Sequence, residues 1–226
     1  MQASPRDERK EDRLIRQLAA DLTPVRRTRS PVAMAALWLA IVAAMTAILA
    51  YIFGTSEIAA RIAVPDVRLA IAGSVLTAIL AVIAACQLGL PDRSQAWALL
   101  PLPALALWIG ASGAGCLRGL LAPETSVATP DETLKCLMFI LAFSLPLSLA
   151  LALMLRRAYP LRPMLAFGMA GTAAAAAAAA LLNFCHPFDA SLLDLGAHVL
   201  AAGIVIAANQ AYGRLASGPE ISSRAA

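Results

Sequence analysis

Four cysteines and two histidines are the residues of this 226-residue chain best suited to redox chemistry or soft-metal binding. They are Cys86, Cys116, Cys136, Cys185, His186 and His198. A thiolate attacks disulfides and other oxidants, and thiolate sulfur with imidazole nitrogen suits Cu(I) or Zn(II). Among the six, Cys185 and His186 alone are adjacent in sequence, and no CxxC or HxxxH spacing supports a preformed site. Other chemistry is sparse. No nucleotide-binding glycine loop or zinc-protease motif is present. The stretch GASGAGCLRG, 110–119, is glycine-rich but closes an apolar run, so close helix packing explains it. No serine–histidine–acid set falls on one side of a membrane, and no enzyme activity is expected.

These groups sit in a chain that is 60% hydrophobic and 14% charged, with a mean hydropathy of +0.75. A soluble domain carries nearer a quarter of its residues as charge. A helix crosses a bilayer with about 20 apolar residues, and six stretches qualify: 32–53, 69–90, 96–116, 134–155, 163–184 and 192–213. Backbone groups in lipid must be paired within the span, which predicts an all-α polytopic membrane protein of six transmembrane helices. The first run is too long for a signal-peptide core. Pro101 and Pro103 interrupt the third stretch. Pro146 removes a hydrogen bond from the fourth and predicts a bend, with Ser144 and Ser148 placed to cap the freed carbonyls. The fifth stretch, GTAAAAAAAALL after Gly168, predicts a tightly packed central helix. The spans hold almost no ionisable residues, which argues against an ion-coupled transporter.

Lysine and arginine collect on the cytoplasmic side of membrane proteins. Eight precede the first span: Arg6, Arg9, Lys10, Arg13, Arg16, Arg26, Arg27 and Arg29. Arg93, Arg156, Arg157, Arg162, Arg214 and Arg224 share that side; Arg61, Arg68, Arg118 and Lys135 lie opposite. This predicts both termini in the cytoplasm, in agreement with an even number of spans. Cys116 then ends the third span, Cys136 begins the fourth and Cys185 ends the fifth, all at the outer face. Cys86 falls near the inner end of the second as a small buried hydrophobe. His198 lies inside the sixth span. A histidine there is costly unless paired or functional, and a hydrogen bond to a neighbouring helix is its plain alternative.

A different element precedes the membrane. From Asp7 to Leu22 the apolar residues Leu14, Ile15, Leu18, Ala19 and Leu22 recur at helical spacing, and Thr23-Pro24 ends the pattern. A helix this short is marginal alone in water and needs a surface for its stripe. Lipid headgroups suit Arg26, Arg27 and Arg29. A groove on a partner protein suits the mixed charges of Asp7, Glu8, Glu11, Asp12 and Asp21. The residues alone leave both open.

The stretch LIRQLAADLTPVRRTRSP, 14–31, followed by an alanine- and leucine-rich span, resembles the start of NrsF-type proteins. The resemblance continues in LMLRRAYPLRPMLAFGMAG, 153–171, and in the cysteines that open the fourth span and close the fifth. It implies a bacterial inner-membrane anti-sigma factor of six spans, whose cytoplasmic N-terminal segment holds an extracytoplasmic-function (ECF) sigma factor away from RNA polymerase. Carried over, Leu14, Ile15, Leu18, Asp21 and Leu22 are the contact candidates. Pro24, Val25, Arg26 and Arg27 match the family stretch but suit the membrane junction equally. The resemblance also singles out Cys136 and Cys185 as a signal-receiving pair, with a structural disulfide as the alternative. Oxidation of the pair is one chemistry. Ligation of Cu or Zn by Cys136, Cys185 and His198, with His186 a weaker addition, is the other. No cofactor is required and no nucleic acid is bound directly.

The expected organisation is therefore a sigma-binding arm over 1–31, a six-helix sensor over 32–213 and a cytoplasmic tail over 214–226. Two rivals stand beside it: a small-solute or metal transporter, and a scaffold of a membrane complex whose arm lies on lipid.

Overall fold

The computed structural model describes residues 5–20, 30–121, 129–157, 160–184 and 192–216, and all regular structure within them is helical. Helix α1 spans Pro5–Ala20. The remaining helices are α2 Pro31–Phe53, α3 Ser56–Ile62, α4 Pro65–Leu88, α5 Leu102–Leu121, α6 Pro130–Arg156, α7 Pro163–Leu182 and α8 Leu192–Ala216. A 3₁₀ turn, Gln95–Leu99, leads into α5. Six helical segments are long and apolar enough to cross a membrane, the third being the 3₁₀ turn with α5.

Proline sets where four of these six begin. Pro31, Pro65, Pro130 and Pro163 each occupy the first turn, where a missing N–H costs nothing and the fixed φ favours the helix. Ser30 caps α2 by accepting from the Ala33 N–H. Thr129 and Glu132 form a reciprocal capping box on α6. The second and fourth spans accordingly start a turn before their apolar runs, taking in Asp66, Arg68, Asp131 and Glu132. The third extends to Leu121, so Cys116 lies within α5 rather than at its end. Pro101 and Pro103 stand at the start of α5, where they do not break it. The short α3, between the first two spans, lies outside the sequence expectation.

Helix α7 is the centre of the bundle, flanked by α4, α6 and α8. Fifteen of its twenty residues are buried, including Ala173 to Ala179. Glycine permits the closest approaches. A Cβ on Gly171 would lie 2.8 Å from the Ile206 Cα, and one on Gly73 would lie 2.7 Å from the Trp108 backbone nitrogen. Both contacts are with backbone, so α7–α8 and α4–α5 spacing depends on the absent side chain.

Polar groups in this core are few and specific. The Trp38 indole N–H donates to the Leu147 carbonyl, 2.9 Å away, next to Pro146. Asn209 Nδ2 donates to Ser148 Oγ at 3.0 Å and to the Val205 carbonyl at 2.8 Å. Ser144 and Ser148 therefore do not divide the work expected of them. Ser148 serves α8, and the buried Ser144 hydroxyl has no hydrogen-bond partner among the described residues. At the bundle end nearest the arm, Arg162 Nη1 donates to the Arg93 carbonyl at 3.0 Å and ties two connections together.

Candidate functional site

Two regions carry the groups that function would need, and they lie at opposite ends of the bundle. The first is α1. Its residues 10–20 are all exposed. Leu14, Ile15 and Leu18 stand 56%, 62% and 61% open, on a helix most of whose remaining positions are charged. Burying one such side chain contributes about 1.5–3 kcal/mol, so the bare stripe is a large unclaimed driving force. Arg16 Nε donates to the Asp12 carbonyl at 3.2 Å within the helix. Asp21 and Leu22, the last two contact candidates, lie outside the described residues.

The second region is a cavity of about 440 Å³ at the other end, between α4, α5, α7 and α8. Arg61 of α3, Asp66 of α4, Arg118 of α5 and Asp194 and His198 of α8 all line it. Arg118 Nη2 stands 3.1 Å from Asp66 Oδ2. His198 Nδ1 lies 2.7 Å from the Asp194 carbonyl and 3.5 Å from that residue's carboxylate. A carbonyl only accepts, so Nδ1 carries the proton. His198 thus makes a hydrogen bond to its own helix, one turn back.

Sequence reasoning missed this convergence. Arg61 and Arg118 read as ordinary charges on the side opposite the arm, and Asp66 and Asp194 went unremarked. The spans are less bare of ionisable residues than expected, because the first and last turns of three of them bring theirs to one cavity. The available signal was an acid or base within a turn or two of the same end in each of α4, α5 and α8.

The cysteines are distributed differently. Cys136 is buried on α6 among Ile140, Ala178, Leu182 and Ala201. Cys185 and His186 lie outside the described residues; Leu182 precedes Cys185 by three positions. Cys86 is fully buried in the main core and Cys116 is buried on α5. His198 faces the cavity, whose described lining does not include Cys136. Among the described residues, no three histidine, cysteine, aspartate or glutamate side chains come together to hold a metal ion.

An all-helical chain with six helices long and apolar enough to cross a membrane, and a charged, exposed helix ahead of them, is consistent with a multi-pass membrane protein. A family model, NrsF, described as negative regulator of sigma F, matches residues 18–216. The chain belongs to this family, whose name implies regulation of a sigma factor. The match opens at Leu18, inside the α1 stripe, and closes at Ala216, where α8 ends. No curated protein and no solved structure matches the chain.

Proposed function

We propose that this protein is a bacterial inner-membrane anti-sigma factor that holds an ECF sigma factor through α1 and the segment after it. The observation that carries the reading is the uncovered stripe of Leu14, Ile15 and Leu18 on a helix joined to a membrane bundle. An amphipathic helix of this kind lays its apolar face into a groove on a partner. In sequence, Leu22 continues the spacing of this stripe, and Asp21 is the acidic contact candidate beside it. The mixed charges of α1 suit a protein groove better than an anionic lipid surface, which favours a uniformly basic face. The concentration of lysine and arginine before α2 and in the Arg93 and Arg156–Arg162 connections supports a cytoplasmic arm.

Release of the sigma factor is assigned to Cys136 and Cys185. Burial shields Cys136 from direct attack, so Cys185 reacts first. Its thiolate attacks a disulfide oxidant from outside the membrane and expels one thiol. Cys136 then displaces the second thiol and closes a Cys136–Cys185 bond, the oxidant leaving as two thiols. The bond changes how α6 meets the end of α7. Helix α6 also receives the Trp38 hydrogen bond at Leu147, and Trp38 lies two turns into the helix that follows the arm. The signal acts only insofar as it binds or bonds one bundle arrangement better than another.

Binding of the sigma factor to the full-length protein in nanodiscs tests the docking. The paired substitution Leu14→Asp and Leu18→Asp is expected to weaken it by about a hundredfold or more, from the loss of two buried apolar contacts. Unchanged affinity in the folded variant removes the docking reading. A Cys136→Ser and Cys185→Ser chain is expected to bind sigma normally but to keep it in the presence of oxidised glutathione. Release from that variant removes the thiol reading alone.

A further inference from the structure

The walls of the cavity between α4, α5, α7 and α8 are apolar along most of their depth, formed by Ile71, Leu105, Trp108, Ile109, Val199 and Ile206. Its charged groups gather at the end away from the arm, and their exposures are unequal. The Arg118 side chain is 42% open, against 18% for Asp66 and 4% for Asp194. The carboxylates are turned into protein, while the Arg118 side chain, although paired with Asp66, keeps open surface. Such a group grips the oxygens of a carboxylate or phosphate through two N–H bonds.

Two glycines shape the space. A Cβ on Gly115 would stand 2.8 Å from Asp66 Oδ2, so bare backbone is what lets the Asp66–Arg118 pair sit against α5. On the facing wall, a Cβ on Gly203 would meet nothing within 4 Å. The volume falls in the range of small-molecule sites. Ionisable groups at membrane depth are expensive and mark sites of function.

We propose that this cavity binds an anionic amphiphile, an alkyl chain ending in a carboxylate or phosphate. The chain lies along Trp108 and Ile206, and the head meets Arg118. A free fatty acid and an acidic bilayer lipid share this chemistry. The site concerns binding alone and does not depend on α1 docking a sigma factor.

The test uses the full-length protein in phosphatidylcholine nanodiscs, photolabelled with a diazirine-bearing fatty acid and mapped by mass spectrometry. Label is expected on the cavity faces of α5 and α8, and lauric acid is expected to compete about tenfold better than dodecanol or dodecylamine. Stronger competition by lauric acid than by phosphatidylglycerol identifies a fatty-acid site, and the reverse identifies a lipid site; either supports the proposal. Gly203→Phe fills the space and is expected to abolish labelling, while Gly203→Ala keeps it. Arg118→Gln is expected to retain label but lose the preference for acid over alcohol. The proposal is overturned by label spread evenly over outward residues such as Tyr51 and Leu145. Equal competition by acid, alcohol and amine, or unchanged labelling of a folded Gly203→Phe protein, overturns it as well.

Discussion

Single side chains decide how closely these helices meet. Gly171→Ala places a Cβ against the α8 backbone at Ile206, and neither partner has a flexible end to yield. A loss of about 1–3 kcal/mol is expected, as for overpacked cores, read as a lower midpoint in detergent unfolding. Gly203→Ala meets open space and serves as the neutral comparison in the same assay. Equal midpoints for the two variants would mean that α7 and α8 do not touch at Gly171. Asn209→Leu tests a polar contact at this scale. It removes the donation to Ser148 Oγ and is expected to cost about 1 kcal/mol, in line with interhelical hydrogen bonds in membranes. The six reactive residues were legible by type alone. Their surroundings were not: the burial of Cys136 arises from neighbours distant in sequence, and nothing in the residue types alone turns His198 toward Asp194 one turn back on its own helix.

At the scale of elements, hydropathy found all six spans, since a lipid-facing helix must be apolar whatever it packs against. It misplaced the starts of the second and fourth, because a window average falls where Asp66, Arg68, Asp131 and Glu132 enter the first turns, although Pro65 and Pro130 have already begun the helix. The α1 stripe was legible because its period survives without tertiary context, and its end at Thr23-Pro24 lies outside the described residues. The helix itself is marginal alone at four turns, and residues 10–20 are exposed. Amides of 10–20 in the free nanodisc protein are therefore expected to exchange quickly with deuterium and to gain protection when a sigma factor binds. Strong protection without a partner would show that the arm already has a surface, on lipid or on its own bundle. The α2–α6 contact offers a second test. Trp38→Phe keeps most of the apolar bulk but deletes the bond to the Leu147 carbonyl beside Pro146. A loss of about 1 kcal/mol is expected in the same unfolding assay, and unchanged stability would mean that this bond does not hold α2 to α6.

For the molecule as a whole, six antiparallel spans put the arm at one end and the cavity with Arg118, Asp194 and His198 at the other. That separation is a property of the fold; which end faces outward rests on the arginine distribution. Thr55, exposed just after α2, and Ser94, exposed just before the 3₁₀ turn, mark the two ends. In a chain whose four native cysteines are replaced by serine, Thr55→Cys is expected to react with a membrane-impermeant maleimide on spheroplasts. Ser94→Cys is expected to react only after the membrane is opened. The reverse pattern would put α1 outside, beyond reach of a cytoplasmic sigma factor, and would end the anti-sigma reading while leaving the cavity proposal intact. With the expected pattern, α7 is the element placed to carry the proposed signal between the two ends. It is buried along nearly its whole length and packs on α4, α6 and α8 together, so a change at its far end would fall on those helices rather than on lipid.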